Sequence, residues 1–195
     1  VEQLITRLVE LTANTPAVEF HGLPQFLANT DRLQVEKRFA RADARDFYTR
    51  HNPADAVVGS IWQDITFYPF AGLDGQQIGY ATDGRTGEPS VDWPSNMLVI
   101  ADSGGDPLML DPSSVDGEVF FAVHGMGYWD PQPIARDISG LLKLSIAWLE
   151  VSEQRGEDLY DDTYDIHPAS IALFRELAAS QGIEDTYIQN VLALR

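Results

Sequence analysis

Asp102, Asp106, Asp111 and His124 are the residues most suited to chemistry. Carboxylates at 102 and 106, separated by Gly104 and Gly105, offer oxygen ligands for a hard cation, and with His124 they would suit a small metal-dependent hydrolase. The spacing misses the calcium-loop pattern, which needs ligands at positions 1, 3 and 5 and a bidentate Glu at 12. An Asp beside two glycines has a simpler use, since Asp bonds backbone amides in tight turns. That turn is the favoured reading. A second candidate is His124 with Asp130, a base and its orienting carboxylate, in the segment HGMGYWD at 124–130. No nucleophile motif accompanies it: Gly-x-Ser-x-Gly, His-Glu-x-x-His and a phosphate-cradling glycine loop are all missing. A glycine-rich bend over Trp129 accounts for the segment, and no metal or cofactor is expected.

Composition narrows the classes further. The 195 residues contain no cysteine, which excludes disulfides, zinc–thiolate sites and a cysteine nucleophile. Thirty acidic against 13 basic side chains give a net charge of −17, so nucleic acid is a poor partner for the surface as a whole. With 44% hydrophobic residues the chain can bury a core. No apolar run reaches the roughly 20 residues of a membrane helix. The start VEQLITRLVEL has neither the basic nor the apolar region of a signal peptide. A cytoplasmic protein is the expectation.

The charge is uneven. Residues 1–50 carry seven acidic and seven basic side chains, so the deficit belongs to 51–195. It is densest at 150–165, where seven carboxylates face only Arg155 and two tyrosines, Tyr160 and Tyr164, intervene. Such a run is either a solvated loop or a docking surface for a basic partner. The tyrosines favour docking, because Tyr supplies contact area at interfaces.

These residues need elements to position them. Val1, Leu4, Ile5, Leu8, Val9 and Leu11 recur at helical spacing, and Pro16 would end that helix. A turn at 22–24 follows. Residues 31–50 read as one helix, with Arg38, Arg41 and Arg45 aligned as a solvated stripe or as half of a self-complementary contact. The middle reads as short strands at 65–70, 78–80, 97–101, 108–110 and 119–123, split by Asp-Gly and Gly-Gly turns. Met97 to Ala101 is continuously apolar, as in a strand buried on both faces. Helices return after Pro133: one with Asp137 or Ser139 as N-cap and Gly156 as its stop, one opened by Pro168, and one near 185–194. Trp148 belongs to the core, whereas Trp62 and Trp93 stand near turns where an indole can line a groove. The fold class is α+β. Its sheet is mainly antiparallel or mixed, of about five to six strands, flanked by helices with an N-terminal helix and a C-terminal helical extension.

The segment WPSNMLVIADSGGDPLMLD at 93–111 resembles the strand, glycine–aspartate turn and strand of the SUKH superfamily, which includes fungal cell-wall regulators and bacterial immunity proteins. ARDFYTRHN at 44–52 is similar to its early helix, GEVFF at 117–121 to its next strand and ISGLL at 138–142 to its closing helix. The order and intervals agree. One departure is that members usually carry a Leu-Pro pair before the early helix, where Arg41 and Ala42 stand here. The resemblance covers about 36–149, with the N-terminal helix and residues 150–195 outside it; the expected organisation is one domain over 1–195, with an N-terminal helix (1–16), a core (17–149) and an acidic loop with C-terminal helices (150–195). The resemblance implies a protein-binding groove, no enzyme activity, and for many bacterial members neutralisation of a toxin domain, often a nuclease. The expected partner is a basic protein, and neither nucleic acid nor membrane. The expected contacts are Trp93, Asp102, Gly104, Gly105, Asp106, Tyr128 and Trp129 around the turn. Asp158, Tyr160, Asp161, Asp162 and Tyr164 join them from the acidic stretch. The rival reading is a housekeeping scaffold, which a neighbouring toxin gene would argue against.

Overall fold

The computed structural model describes residues 1–14, 22–27, 30–54 and 56–194. Helix α1 (Glu2–Thr12) buries Ile5, Leu8 and Leu11, the stripe its spacing predicts. Pro16 lies outside the described residues. Strand β1 (Gln25–Leu27) pairs antiparallel with β2 (Asn52–Ala54) as a separate ribbon. Between them lie α2 (Arg32–Arg38), capped by Asp31, whose side chain accepts the Leu33 amide, and α3 (Ala42–Arg50).

Residues 31–50 are therefore two helices and not the one expected. Phe39 leaves the helix in an extended conformation, is fully buried, and stacks on Tyr48 with centroids 5.2 Å apart. The Ala40 amide donates to the Pro112 carbonyl, and the Arg45 guanidinium donates to the Phe39 and Ala40 carbonyls. Tertiary partners thus replace the helical bonds that the break gives up. The arginine stripe is dismantled with it. Arg38 pairs with Asp74, and Arg41 is buried at 1% exposure with a two-pronged bond to Asp43 at 2.9 Å. Arg41 also donates to the Glu118 carbonyl, while Asp43 accepts the Ile138 amide, so one ion pair ties α3 to two later segments.

Among the described residues the main sheet has six strands, every neighbouring pair antiparallel, in chain order: β3 (Ala56–Val58), β4 (Ile65–Phe67), β5 (Leu98–Ser103), β6 (Asp106–Leu110), β7 (Val119–Phe121) and β8 (Gln132–Ala135). Leu98 to Ala101 is buried throughout, as its continuous apolar run requires. The alternation at Ile78 and Tyr80 does not make a strand. That segment is 3-10 turns and single bridges, and Ile78 is exposed. Its anchor is Gln77, whose side-chain amide accepts the Val99 N–H and donates to the Val99 carbonyl, beside the register shift in β5.

Helix α4 (Ile138–Arg155) is the centre of the helical layer. It packs on α1, α3, β8 and α5 (Pro168–Ser180), so nearly its whole circumference is buried, Trp148 included. Asp137 caps it by accepting the Gly140 amide at 2.7 Å, and Gly156, at φ 53°, ends it. The first six residues of the expected acidic loop are thus helix: Glu150 and Glu153 lie in the last turns of α4, and Glu150 pairs with Arg7 of α1. A 3-10 turn (Gly156–Leu159) leads into the loop proper. Helix α6 (Asp185–Ala193) returns to the sheet, where Asn190 donates to the Pro133 carbonyl of β8.

Candidate functional site

Gly104 and Gly105 form the two-residue link between β5 and β6, at φ 63° and 93°. Two consecutive positive φ values are what such a hairpin needs, and only glycine adopts them without strain. Asp102 bonds the turn from within: one oxygen accepts the Gly105 amide at 3.0 Å, the other the Tyr68 hydroxyl. Burial raises the Tyr68 phenol well above its ordinary value, and the Asp102 hydrogen bond and charge raise it further. Tyr80 donates to the Gly105 carbonyl at 2.9 Å, and its phenol is also raised, first by burial and then by Asp102. Asp106 takes the backbone amide of His124 at 2.7 Å and faces its Nδ1 at 2.9 Å through the same oxygen.

This geometry disperses the cation candidates. Asp102 and Asp106 are engaged by the turn and by His124. Asp111 lies at the other end of the hairpin, roughly 16 Å along the strand at 3.3 Å per residue, bonded to Asn96 and Ser113. Among the described residues no three His, Cys, Asp or Glu side chains are grouped to hold a metal ion. The ring partner of His124 is Asp106, not the Asp130 considered from sequence.

Aromatic side chains support the turn from behind. Trp93 is buried, donates its indole N–H to the Met97 carbonyl, and meets Trp129 edge to face at 5.1 Å. Tyr80 packs on both rings. Trp93 therefore acts beneath the surface, whereas Tyr128 and Met126 in the following bend are exposed.

On the other side of the hairpin a groove of about 540 Å³ opens. Trp62 forms its wall, stacked on Phe121 at 4.4 Å and fixed by an indole bond to the Val191 carbonyl of α6. Ser103 and Asp106 come from the hairpin; Tyr160, Tyr164, Asp165 and Ile166 come from the acidic loop; Leu192 and Leu194 close the end. The loop is rigidly built. Tyr160 bridges to Ile166, the Asp161 amide donates to the Asp165 carbonyl, and the Asp161 side chain accepts from the Thr163 hydroxyl and from the Thr163 and Asp165 amides. These bonds hold the Asp161 carboxyl below its ordinary value, the Thr163 hydroxyl contributing most. Tyr164, at φ 65°, is presented at the tip with 89% of its surface exposed.

The structure thus brings Asp106 together with Tyr160 and Tyr164, which 54 residues of chain or more separate. It keeps Asp158 and Asp162 outside the groove on exposed surface and gives Asp161 a loop-shaping task. Sequence reasoning missed Gln63, Ile166, Leu192 and Leu194, which carry no local signal because distant segments assemble them. A larger cavity, 630 Å³ beside α2, is lined by Lys37 and Arg38, and there Arg38 is already paired with Asp74.

An antiparallel meander laid on a central helix, with a glycine hairpin and an open acidic–aromatic groove, defines an α+β protein of the architecture that the SUKH resemblance implies. The chain belongs to the SMI1 / KNR4 family (SUKH-1), which matches residues 36–143. Comparison with curated proteins and with solved structures returns no match. Helix α1, the acidic loop, α5 and α6 lie outside the matched residues, so the groove is half family core and half C-terminal extension.

Proposed function

We propose that this protein is a non-enzymatic, cytoplasmic binding module that neutralises a basic toxin domain, such as a nuclease, by docking it at the hairpin and the acidic loop. The single observation that carries the reading is the convergence of Asp106, Tyr160, Tyr164 and Asp165 on one open groove. Exposed tyrosines supply contact area, and carboxylates steer a cationic partner. A nuclease needs a basic surface to hold phosphates, and a protein at −17 complements it. Membership of the SMI1 / KNR4 family supports a protein-binding role. No helix among the described residues is long and apolar enough to cross a membrane.

The test is to search the gene's neighbourhood for a toxin-domain polypeptide and to co-express this protein with it. Restored growth and a purified complex are expected, with affinity falling steeply as salt rises from about 50 to 300 mM, because exposed charge pairs are screened within about 10 Å at 0.1 M. Neither protection nor a complex at the lowest salt would overturn the reading.

A further inference from the structure

The groove beside Trp62 has a chemistry narrower than general acidity. Among the described residues, no Lys, Arg or His lines it, while two carboxylates and four aromatic side chains, Trp62, Phe121, Tyr160 and Tyr164, do. One Asp106 oxygen is occupied by His124, and the second carries no hydrogen bond among the described residues. The Asp165 carboxylate is exposed and, among the described residues, holds only a 3.4 Å contact from the Thr163 hydroxyl. The walls are set in place before any partner arrives. Trp62 is fixed by its bond to α6 and its stack on Phe121, and the tyrosine loop by its Asp161 bonds. Two carboxylates repel phosphates and other anions. A compact, strongly hydrated ammonium gains little from aromatic walls. A guanidinium gains from both, because its face stacks on aromatic rings while its edge donates paired bonds to a carboxylate.

We infer that this groove is the seat of an arginine side chain projected by the protein partner, clasped between Trp62 and the Tyr160–Tyr164 loop with Asp106 and Asp165 as its counter-charges. The inference rests on the protein-binding reading above and adds the residue type that reading leaves open. The loop and α6 lie outside the matched family residues, so this seat belongs to the chain's own extension.

The experiment titrates tetra-arginine, tetralysine and tetracitrulline peptides into the protein, reading tryptophan emission with Trp62→Phe as the control that assigns the signal. The arginine peptide is expected to bind several-fold more tightly than the lysine peptide of equal charge, and the citrulline peptide not at all. Tyr164→Ala and Asp165→Asn, both at exposed positions, should each weaken the arginine peptide by about three- to fivefold. Their thermal midpoints should match the parent. Asp158→Asn, outside the groove, should weaken the arginine and lysine peptides alike. Equal affinity for arginine and lysine, or groove variants without effect, would overturn the inference, since any acidic surface would behave so. A toxin domain still captured at full strength by the double variant Tyr164→Ala/Asp165→Asn would remove the arginine seat and leave the binding reading standing. Peptide selectivity without any protected partner would do the reverse.

Discussion

Two residues outside the groove hold parts of the fold around it. Gly105 holds φ 93° at the tip, and an L side chain in that region costs about 1–2 kcal/mol. Gly105→Ala should therefore lower stability in urea by about that much. Because the Gly105 amide and carbonyl anchor Asp102 and Tyr80, it should also loosen the aromatic support behind the turn. Asp43 is the second. Burial by itself raises its carboxyl, but the Arg41 bonds, the Ile138 amide and the Arg41 charge outweigh burial and hold it below the ordinary value. Asp43→Ala leaves the Arg41 guanidinium buried without its counter-ion, a loss of about 3 kcal/mol. A carboxyl depressed in the folded state stabilises fully above its unfolded value, about 3.9, and that contribution is lost as pH falls through the folded value. The gap between parent and variant should be full at neutral pH and shrink in acid. A gap that stays constant from neutral pH into strong acid would show that the ion pair is not its source.

At the scale of elements, the C-terminal extension completes the sheet edge as well as the groove. Tyr187 of α6 donates to Glu118 at 2.8 Å, and burial, followed by that bond and the Glu118 charge, pushes its phenol up to about 12. It remains a donor across the physiological range, so Tyr187→Phe should cost about 1 kcal/mol at any pH between 6 and 9, read from chemical denaturation. The elements most legible in the sequence were those whose signals are local. Gly104 and Gly105 marked their hairpin, Asp137 and Gly156 bounded α4, and Pro168 opened α5, because caps and positive-φ turns are decided by one or two residues. The split of 31–50 was hidden, since Phe39 and Ala40 leave the helix for partners at Tyr48 and Pro112. The alternation at Ile78 and Tyr80 misled for a related reason. The Tyr80 hydroxyl reaches the Gly105 carbonyl and the Gln77 amide bonds the Val99 backbone, contacts that serve an irregular segment better than a ladder would. The groove was half legible: residue types named the tyrosines and Asp106, but only the return of α6 to β8 places Trp62, Leu192 and Leu194 beside them.

For the molecule as a whole, the decisive quantity is where charge is left uncompensated. Most arginines of the neutral first 50 residues are paired, three within the segment and two beyond it: Arg32 with Glu36, Arg41 with Asp43, Arg50 with Asp46, Arg38 with Asp74, and Arg7 with Glu150 of α4. Little positive surface there is left to compete for an acidic patch, and the surplus charge of 51–195 is densest at the acidic stretch beside the groove. Exposed charges of that kind act on encounter more than on the lifetime of a complex. Asp158→Asn with Asp162→Asn removes two charges that shape nothing, whereas Asp161 holds the loop through the Thr163 and Asp165 amides. Against a basic toxin domain, the double variant should slow association by about three- to tenfold at about 50 mM salt, with dissociation unchanged, and the difference should vanish near 0.5 M. Tyr164→Ala should do the opposite, quickening dissociation with little effect on association, because a seated aromatic contact forms after encounter. Stopped-flow association and dissociation rates at the two salt concentrations separate the cases. Equal association rates for parent and double variant at low salt would mean that the field of the loop does not guide the partner, and that the groove is found by shape alone.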